Sequence, residues 1–300
     1  MLTVVIGLVA ALIFGSADFL GGLSARRIGP LRATAIAAAV GLVLLLILTP
    51  FVGGTWSWSA ALWGGISGIS GALAISLLYA CLAIGPMSIL SPLTAVVSAI
   101  VPMTWGLVGG DRFAPIGYLA LGLALIAVVL VGFVPEKGAV RPSLRGILMA
   151  IGSGFMIGVF LILIDLAPDD SGLAPLIMNR AVNGMIIFAT IGVLALWQRS
   201  RRRSQPIPAV TTTPTTSGRS SQWLPGLRFA IACGVVDAVA NTLLLVGVRI
   251  GDLSVVAVLT AMYPAGTIIL AAVVLRERIA PVQWVGLVLA ITAAGMLALA

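Results

Sequence analysis

The sequence predicts an all-α integral membrane protein whose ten transmembrane helices form two inverted five-helix repeats. Three observations carry this expectation. Of 300 residues, 60% are hydrophobic and only 9% charged, against about 25% charged in soluble domains. Ten apolar stretches of about 20 residues, the length that crosses a bilayer, can be placed along the chain. The chain also aligns with itself after a shift of 166 positions.

The stretches lie near residues 2–24, 30–49, 60–83, 87–109, 115–134, 145–165, 174–197, 226–248, 253–275 and 281–300. The first has no basic segment before it, and Arg26 and Arg27 follow it. A secretory signal has the opposite order, so this span is expected to be retained. Trp56 and Trp58 precede the third span as interfacial anchors. The glycines of GGISGISG, Gly64 to Gly71, let that helix approach its neighbours closely. The fourth span carries Pro92 and Pro102, each expected to loosen it. An inter-repeat cytoplasmic loop is expected at 136–143, separating a first repeat at 1–135 from a second at 144–300. Between spans seven and eight, residues 198–222 are too polar and Pro/Thr-rich to pack, and are expected to be a disordered basic loop. In the ninth span Pro264 interrupts helical hydrogen bonding.

The 166-residue shift superposes AIGPMSILSPLTA (Ala83 to Ala95) on RIGDLSVVAVLTA (Arg249 to Ala261), and GDRFAP (Gly110 to Pro115) on RERIAP (Arg276 to Pro281). The register holds without a gap from Gly68 over Gly234 through Ala127 over Ala293, across three helices, which marks a duplication. Spans six and seven match one and two only faintly, so that part of the repeat rests on helix count. Five helices is an odd number, so the second copy enters the bilayer from the opposite side. Charge agrees. The loop after span one carries Arg26 and Arg27, and its counterpart after span six carries Asp169 and Asp170. The loop after span two is uncharged, and the one after span seven holds Arg199, Arg201, Arg202, Arg203 and Arg219. By the positive-inside rule the odd-numbered loops face the cytoplasm and both termini lie outside, in the cytoplasmic (plasma) membrane.

Composition also excludes functions. The net charge of +8 comes from arginines in short loops between apolar runs, where it reports orientation rather than nucleic-acid binding. Cys81 and Cys233 lie far apart inside apolar stretches, and the chain has no histidine. The commonest metal ligand and general base are therefore missing. No cofactor or metal is expected. No Gly-rich phosphate loop with lysine is present, so no ATPase is expected within the chain.

A ten-helix chain of two five-helix halves, each with a P…(D/E)R…P…G pattern at the end of its fourth helix, resembles the EamA-type transporters of the drug/metabolite transporter superfamily. The residues that carry this are Glu277 and Arg278 between Pro264 and Pro281, the degenerate first copy Asp111, Arg112 and Pro115, and the string FGSADFLGG from Phe14 to Gly22. The resemblance covers essentially the whole chain. It implies a ten-helix inverted-repeat fold and transport of a small molecule, and says little about which one. Many members place their basic loop between spans two and three, whereas here it lies between spans seven and eight. An inverted fold inserts either way up, so this departure bears on orientation. Glu277 and Arg278 are expected to cap two helices rather than touch substrate.

Three charges fall inside spans: Asp18 in the first, Arg180 in the seventh and Asp237 in the eighth. At about 1.5 Å per residue Asp237 lies roughly 14 Å from Arg228 and 18 Å from Arg249, close to mid-membrane. A charge there costs about 2.5–3.5 kcal/mol by insertion scales and persists where it faces a bundle interior or a wet cavity. Asp237 corresponds to Gly71 in the other repeat. A scaffold role would more naturally appear in both copies, so the asymmetry favours function. Asn241 lies one turn along from Asp237. Thr260 and Tyr263 flank the interruption at Pro264, and broken helices at mid-membrane build transporter sites. Asp18, Asp237, Asn241, Arg180, Tyr263 and Thr260 are thus the expected substrate-binding or proton-coupling residues. Arg180 reads equally well as a bridge to Asp237 or to Asp18. Asn179 and Asn183 are expected to join helices.

These residues predict a secondary active transporter that moves small organic metabolites or drugs by alternating access, with proton-coupled export. The expected partners are a small-molecule substrate, the lipid bilayer and H+ as coupling ion, with no nucleic acid, in a monomer or homodimer. The alternative is a membrane-embedded enzyme using the Asp169/Asp170 loop. No second acidic cluster or histidine completes such a site.

Overall fold

The computed structural model describes residues 1–84, 87–132, 142–203, 220–274, 276 and 278–299. The chain is all-helical over these residues: α1 (Leu2–Ile28), α2 (Pro30–Val52), α3 (Trp58–Ile84), α4 (Met87–Gly109), α5 (Pro115–Gly132), α6 (Leu144–Asp165), α7 (Ala174–Arg203), α8 (Ser220–Ile250), α9 (Leu253–Thr260), α10 (Tyr263–Val274) and α11 (Pro281–Leu299). A single 3₁₀ turn at Asp169–Ser171 sits between α6 and α7. Among the described residues ten segments are long and apolar enough to cross a bilayer, with α9 and α10 forming one of them. A helix keeps every backbone polar group paired within itself, as a bilayer interior demands.

Two expectations about helix continuity are corrected. The ninth span is broken, as Pro264 implies, but α4 runs unbroken through Pro92 and Pro102. Neighbouring hydroxyls and packed helices commonly re-satisfy the backbone groups that such prolines release. The reading of 198–222 as loop also fails at both ends. Helix α7 continues to Arg203 and α8 begins at Ser220. Arginine and glutamine are good helix formers, and cations suit a helix C-terminus, so the segment can extend past its apolar part. The remainder, 204–219, lies outside the described residues, as do 133–141, which include most of the expected inter-repeat loop, and Glu277.

Helices α1 and α8 run antiparallel along their length. Ser24 donates to the Gly226 carbonyl at 2.9 Å near one end, and Gly251 packs against Thr3 at the other. Helix α1 also packs on α9 and α10, while α3 packs on α6 and α7, α2 on α7 and α8, and α4 on α6. Helices α5 and α11 pack together through small residues, with Ala120, Ala124, Ala127, Ala290, Ala293 and Ala294 buried between them and their neighbours. Large apolar side chains such as Ile47, Phe51, Leu119 and Ile291 point outward. That is a liability in water and the normal lipid face in a bilayer. One end of the bundle carries Arg26, Arg27, Arg145, Arg228 and Arg278, and the other carries Asp111, Asp169, Asp170 and Asp252 alongside Arg112 and Arg249.

A close helix crossing lies beside the break between α9 and α10. A Cβ on Gly15 would lie 2.6 Å from the Thr267 nitrogen and 2.7 Å from the Gly266 Cα, and would also meet the Tyr263 carbonyl. A Cβ on Gly266 would lie 2.8 Å from the Leu12 carbonyl oxygen. Thr267 donates its hydroxyl to the Gly15 carbonyl at 3.1 Å. Backbone cannot yield as a side chain does, so Gly15→Leu is expected to abolish the monodisperse folded protein. Gly122→Ala, whose Cβ would meet nothing within 4 Å, should leave yield and thermal midpoint unchanged. Size-exclusion profiles and thermal unfolding in detergent check both; equal behaviour of the two variants would remove the crossing from the argument.

Candidate functional site

All six residues expected from the sequence line one cavity. It has a volume of about 250 Å³ and lies among α1, α3, α6, α7, α8 and the α9–α10 break. Asp18 comes from α1, Arg180 from α7, Asp237 and Asn241 from α8, and Thr260 and Tyr263 from the two sides of the break. The Gly15–Gly266 crossing, one turn before Asp18, holds α1 against the break and so sets Asp18 beside Tyr263.

The ambiguity over Arg180 is resolved by the geometry. Its guanidinium forms an ion pair with Asp237, and the two side chains are 14% and 24% exposed. Asn241 reaches back one turn, donating to the Asp237 backbone carbonyl at 2.8 Å and to its Oδ1 at 3.2 Å. Asp237 is thus held by two neighbours. Asp18 accepts no hydrogen bond among the described residues, and its exposed side chain lines the cavity. Of the two acids singled out from the sequence, Asp237 is thus held in an ion pair, while Asp18 has no such pair among the described residues.

Two asparagines expected to act as helix glue divide in role. Asn179 does so, donating to Ser67 Oγ on α3 at 2.9 Å, where a Cβ on the adjacent Gly68 would lie 2.6 Å from the Asn179 carbonyl oxygen. Asn183 is only 6% exposed, and its Oδ1 finds no donor. It lines the cavity. The Thr260 hydroxyl, also buried, is likewise without a partner. The signal for Asn183 was available, since it lies three residues after Arg180 and so on the same helix face. The apolar wall of Phe14, Ile157, Phe160, Leu161 and Leu244 had no signal, because such residues line lipid, core and cavity alike.

A second chamber of about 180 Å³ shares Asp18, Arg180, Asn183 and Asp237 with the first. It extends along Gly22 and Ala25 of α1 and Ala33 and Thr34 of α2, toward the arginine-rich end. Cys233 lies on its wall, half-buried. Toward the acidic end the picture reverses. Leu45, Ile164, Leu173, Leu176, Leu245 and Val256 are buried in one apolar cluster, which seals the bundle there.

The seal is fastened by polar contacts. Thr55 donates its amide to the Asp170 carbonyl at 2.7 Å and its hydroxyl to Asp170 Oδ2 at 2.6 Å. Gly54, with φ of +112°, packs on Gly172, an approach and a conformation that only glycine tolerates. Ser254 donates its hydroxyl to Asp111 Oδ2 at 2.6 Å, and Arg249 donates to Ser171 Oγ at 3.0 Å. Asp170 is therefore engaged in closing the bundle, and Asp169 and Asp170 lie on the far side of the apolar plug from the cavity. Asp111, Asp165 and Asp252 surround a further cavity of about 230 Å³ at this end. Burial pushes the Asp252 carboxyl above the usual carboxylate range, and Asp111 adds repulsion. Among the described residues no group of three or more acidic, cysteine or histidine side chains is placed to hold a metal ion.

Comparison with known proteins agrees with this architecture. The model of the EamA-like transporter family matches residues 144–299. A solved structure described as "Crystal structure of protein" superposes with a TM-score of 0.72 at 16% identity, over 99% of this chain and 96% of that chain. At that identity the likeness shows the fold alone. The search of curated proteins gives no match.

Proposed function

The chain belongs to the EamA-like transporter family, a family of membrane transporters for small molecules, and on that premise we propose that it is a secondary active transporter working by alternating access and coupled to protons. The observation that carries this reading is the asymmetric access to one mid-membrane cavity. A chamber leads from Asp18 toward the arginine-rich end, while a leucine-rich plug and the Thr55–Asp170 and Ser254–Asp111 hydrogen bonds close the other. That is one of the two states such a mechanism requires. The positive-inside rule makes the open end cytoplasmic, placing the termini outside the plasma membrane in a cytoplasm-facing, export-competent state.

The two halves, 1–135 and 144–300, are read as inverted repeats. Exchanging them converts the α1–α8 packing into α6–α3, α2–α8 into α7–α3, and α1 against α9 and α10 into α6 against α4, each of which is present. Packing that maps onto itself in this way supports a rocking of one half against the other about the shared cavity. The site itself breaks the symmetry, since Asp237 faces Gly71 of the other repeat in the aligned register.

Access is tested with the native thiols. Cys233 lines the open chamber, whereas Cys81 is fully buried. A charged, membrane-impermeant thiosulfonate added from the arginine-rich side of vesicles is expected to label Cys233 and inhibit flux. The same reagent added from the acidic side should label it at least about tenfold more slowly. A Cys233→Ser variant should be insensitive from either side. Equal labelling from both sides would contradict a single sealed end and, with it, alternating access.

A further inference from the structure

We infer that the cavity selects a small organic cation bearing N–H donors, a protonated primary or secondary amine, with Asp18 as its counter-ion; this deepens the transporter reading and rests on it. The sum of charges comes first. Arg180 and Asp237 cancel as an ion pair, and Asn241 keeps Asp237 turned to that role. Asp18 remains as a carboxylate that lines the cavity without a partner among the described residues. A carboxylate inside a bundle is costly unless matched by a cation or neutralised by a proton. A protonated amine and a proton are therefore alternative occupants of one group.

Hydrogen bonding then narrows the class. Asn183 lines the same cavity, and its buried side-chain oxygen lacks a donor among the described residues. An unmet buried acceptor and an unmatched carboxylate both call for donated protons. The Thr260 hydroxyl, also unpartnered, can serve a second polar group of the ligand, since it both donates and accepts. An arriving carboxylate has the weaker prospect: its natural partner, Arg180, is held by Asp237 and would have to be drawn away. The rest of the wall, with Phe14, Ile157, Phe160 and Leu244, suits a hydrocarbon body. At about 30 Å³ per water-sized volume, the 250 Å³ accommodates a molecule of roughly eight non-hydrogen atoms.

A quaternary ammonium group carries the charge without the N–H donors, and so separates this proposal from general cation attraction. Sites built to hydrogen-bond an N–H discriminate strongly against analogues that lack it.

The test uses the full-length purified chain and four probes with one hydrocarbon body: 2-phenylethylamine, its N,N,N-trimethyl derivative, 2-phenylethanol and 3-phenylpropionate. A homologous series of straight-chain primary amines accompanies them. Binding is read as protection of Cys233 from a thiol reagent and as thermal stabilisation, both independent of transport. The amine is expected to protect, the trimethyl derivative to need about tenfold higher concentration, and the alcohol and the acid to give no protection. Asp18→Asn should weaken amine binding by about 10- to 100-fold, the range for losing a charged hydrogen bond, and Asn183→Ala by less. Should Asp18→Asn fail to fold, the wild-type probe order still decides. Protection by the acid or the alcohol as good as that by the amine overturns the proposal, as does a trimethyl derivative equal to the amine, or no protection by any amine in the series. Flux of non-amine metabolites with no amine binding would sink this inference and leave the transporter reading standing. Amine protection with no flux of any compound across vesicles would do the reverse.

Discussion

Replacing Arg180 with alanine is expected to destabilise the purified protein by about 2–4 kcal/mol, somewhat below the roughly 3–5 kcal/mol for breaking a dry buried ion pair. The reduction reflects the cavity, which lets water reach side chains that are 14% and 24% exposed. The cause is the stranded partner: Asp237 is left near mid-membrane without its cation, and Asn241 is its remaining side-chain donor among the described residues. The pair on which this rests predicts a specific rescue. Asp237→Asn alone strands the guanidinium and should also destabilise, yet the double variant Arg180→Ala/Asp237→Asn should recover more than half of the single-variant loss, because neither charge then lacks its mate. Thermal unfolding of the four proteins in one detergent measures the cycle. Strictly additive losses would show that the ion pair contributes nothing as a unit.

Asp18→Asn should leave stability near that of the parent chain, because the carboxylate holds no other residue among those described, while abolishing pH-gradient-driven flux by about 100-fold. The amide keeps the shape and loses both the titratable proton and the charge that attracts a cation, and a charged hydrogen bond alone accounts for about 10- to 100-fold. Two separate readouts follow in reconstituted vesicles. Wild-type flux should respond to an imposed pH difference with the membrane potential clamped, and the variant's residual flux should not. A variant that transports as well as the parent under the same gradient would remove Asp18 from both coupling and binding, and leave the cavity's role to the Arg180–Asp237–Asn241 assembly. The contrast between the two substitutions is itself informative: one acid is expected to matter for folding and the other for flux, although both lie on apolar helices at similar depth.

That contrast marks the limit of what the sequence discloses about the site. All six residues singled out from it do line one cavity, because a polar group inside a long apolar stretch is costly wherever it points and so stands out in a one-dimensional reading. What each does was not legible. Asp18 and Asp237 look alike in the chain, and only the packing of α7 and α8 against α2 brings an arginine to one of them. Asn179 and Asn183 look alike too, yet one meets Ser67 across a helix interface and the other keeps a buried oxygen without a donor among the described residues. Proline was a similarly partial guide. Pro264 coincides with a real break, whereas Pro92 and Pro102 sit in a continuous helix, because a proline removes a hydrogen bond and the surroundings decide whether the helix yields.

By itself, then, the sequence determined the number, length and order of the spans, the arginine-rich and acidic ends of the bundle, and the set of polar residues withheld from lipid. These follow from local hydrophobicity and charge, which each segment carries wherever it packs. Only the tertiary structure decided which charge is paired, which acceptor is left open, and which end of the bundle is sealed. Each of these depends on side chains more than fifty residues apart meeting at a few ångströms, as Arg180 meets Asp237 and Thr55 meets Asp170, and no local pattern encodes that meeting.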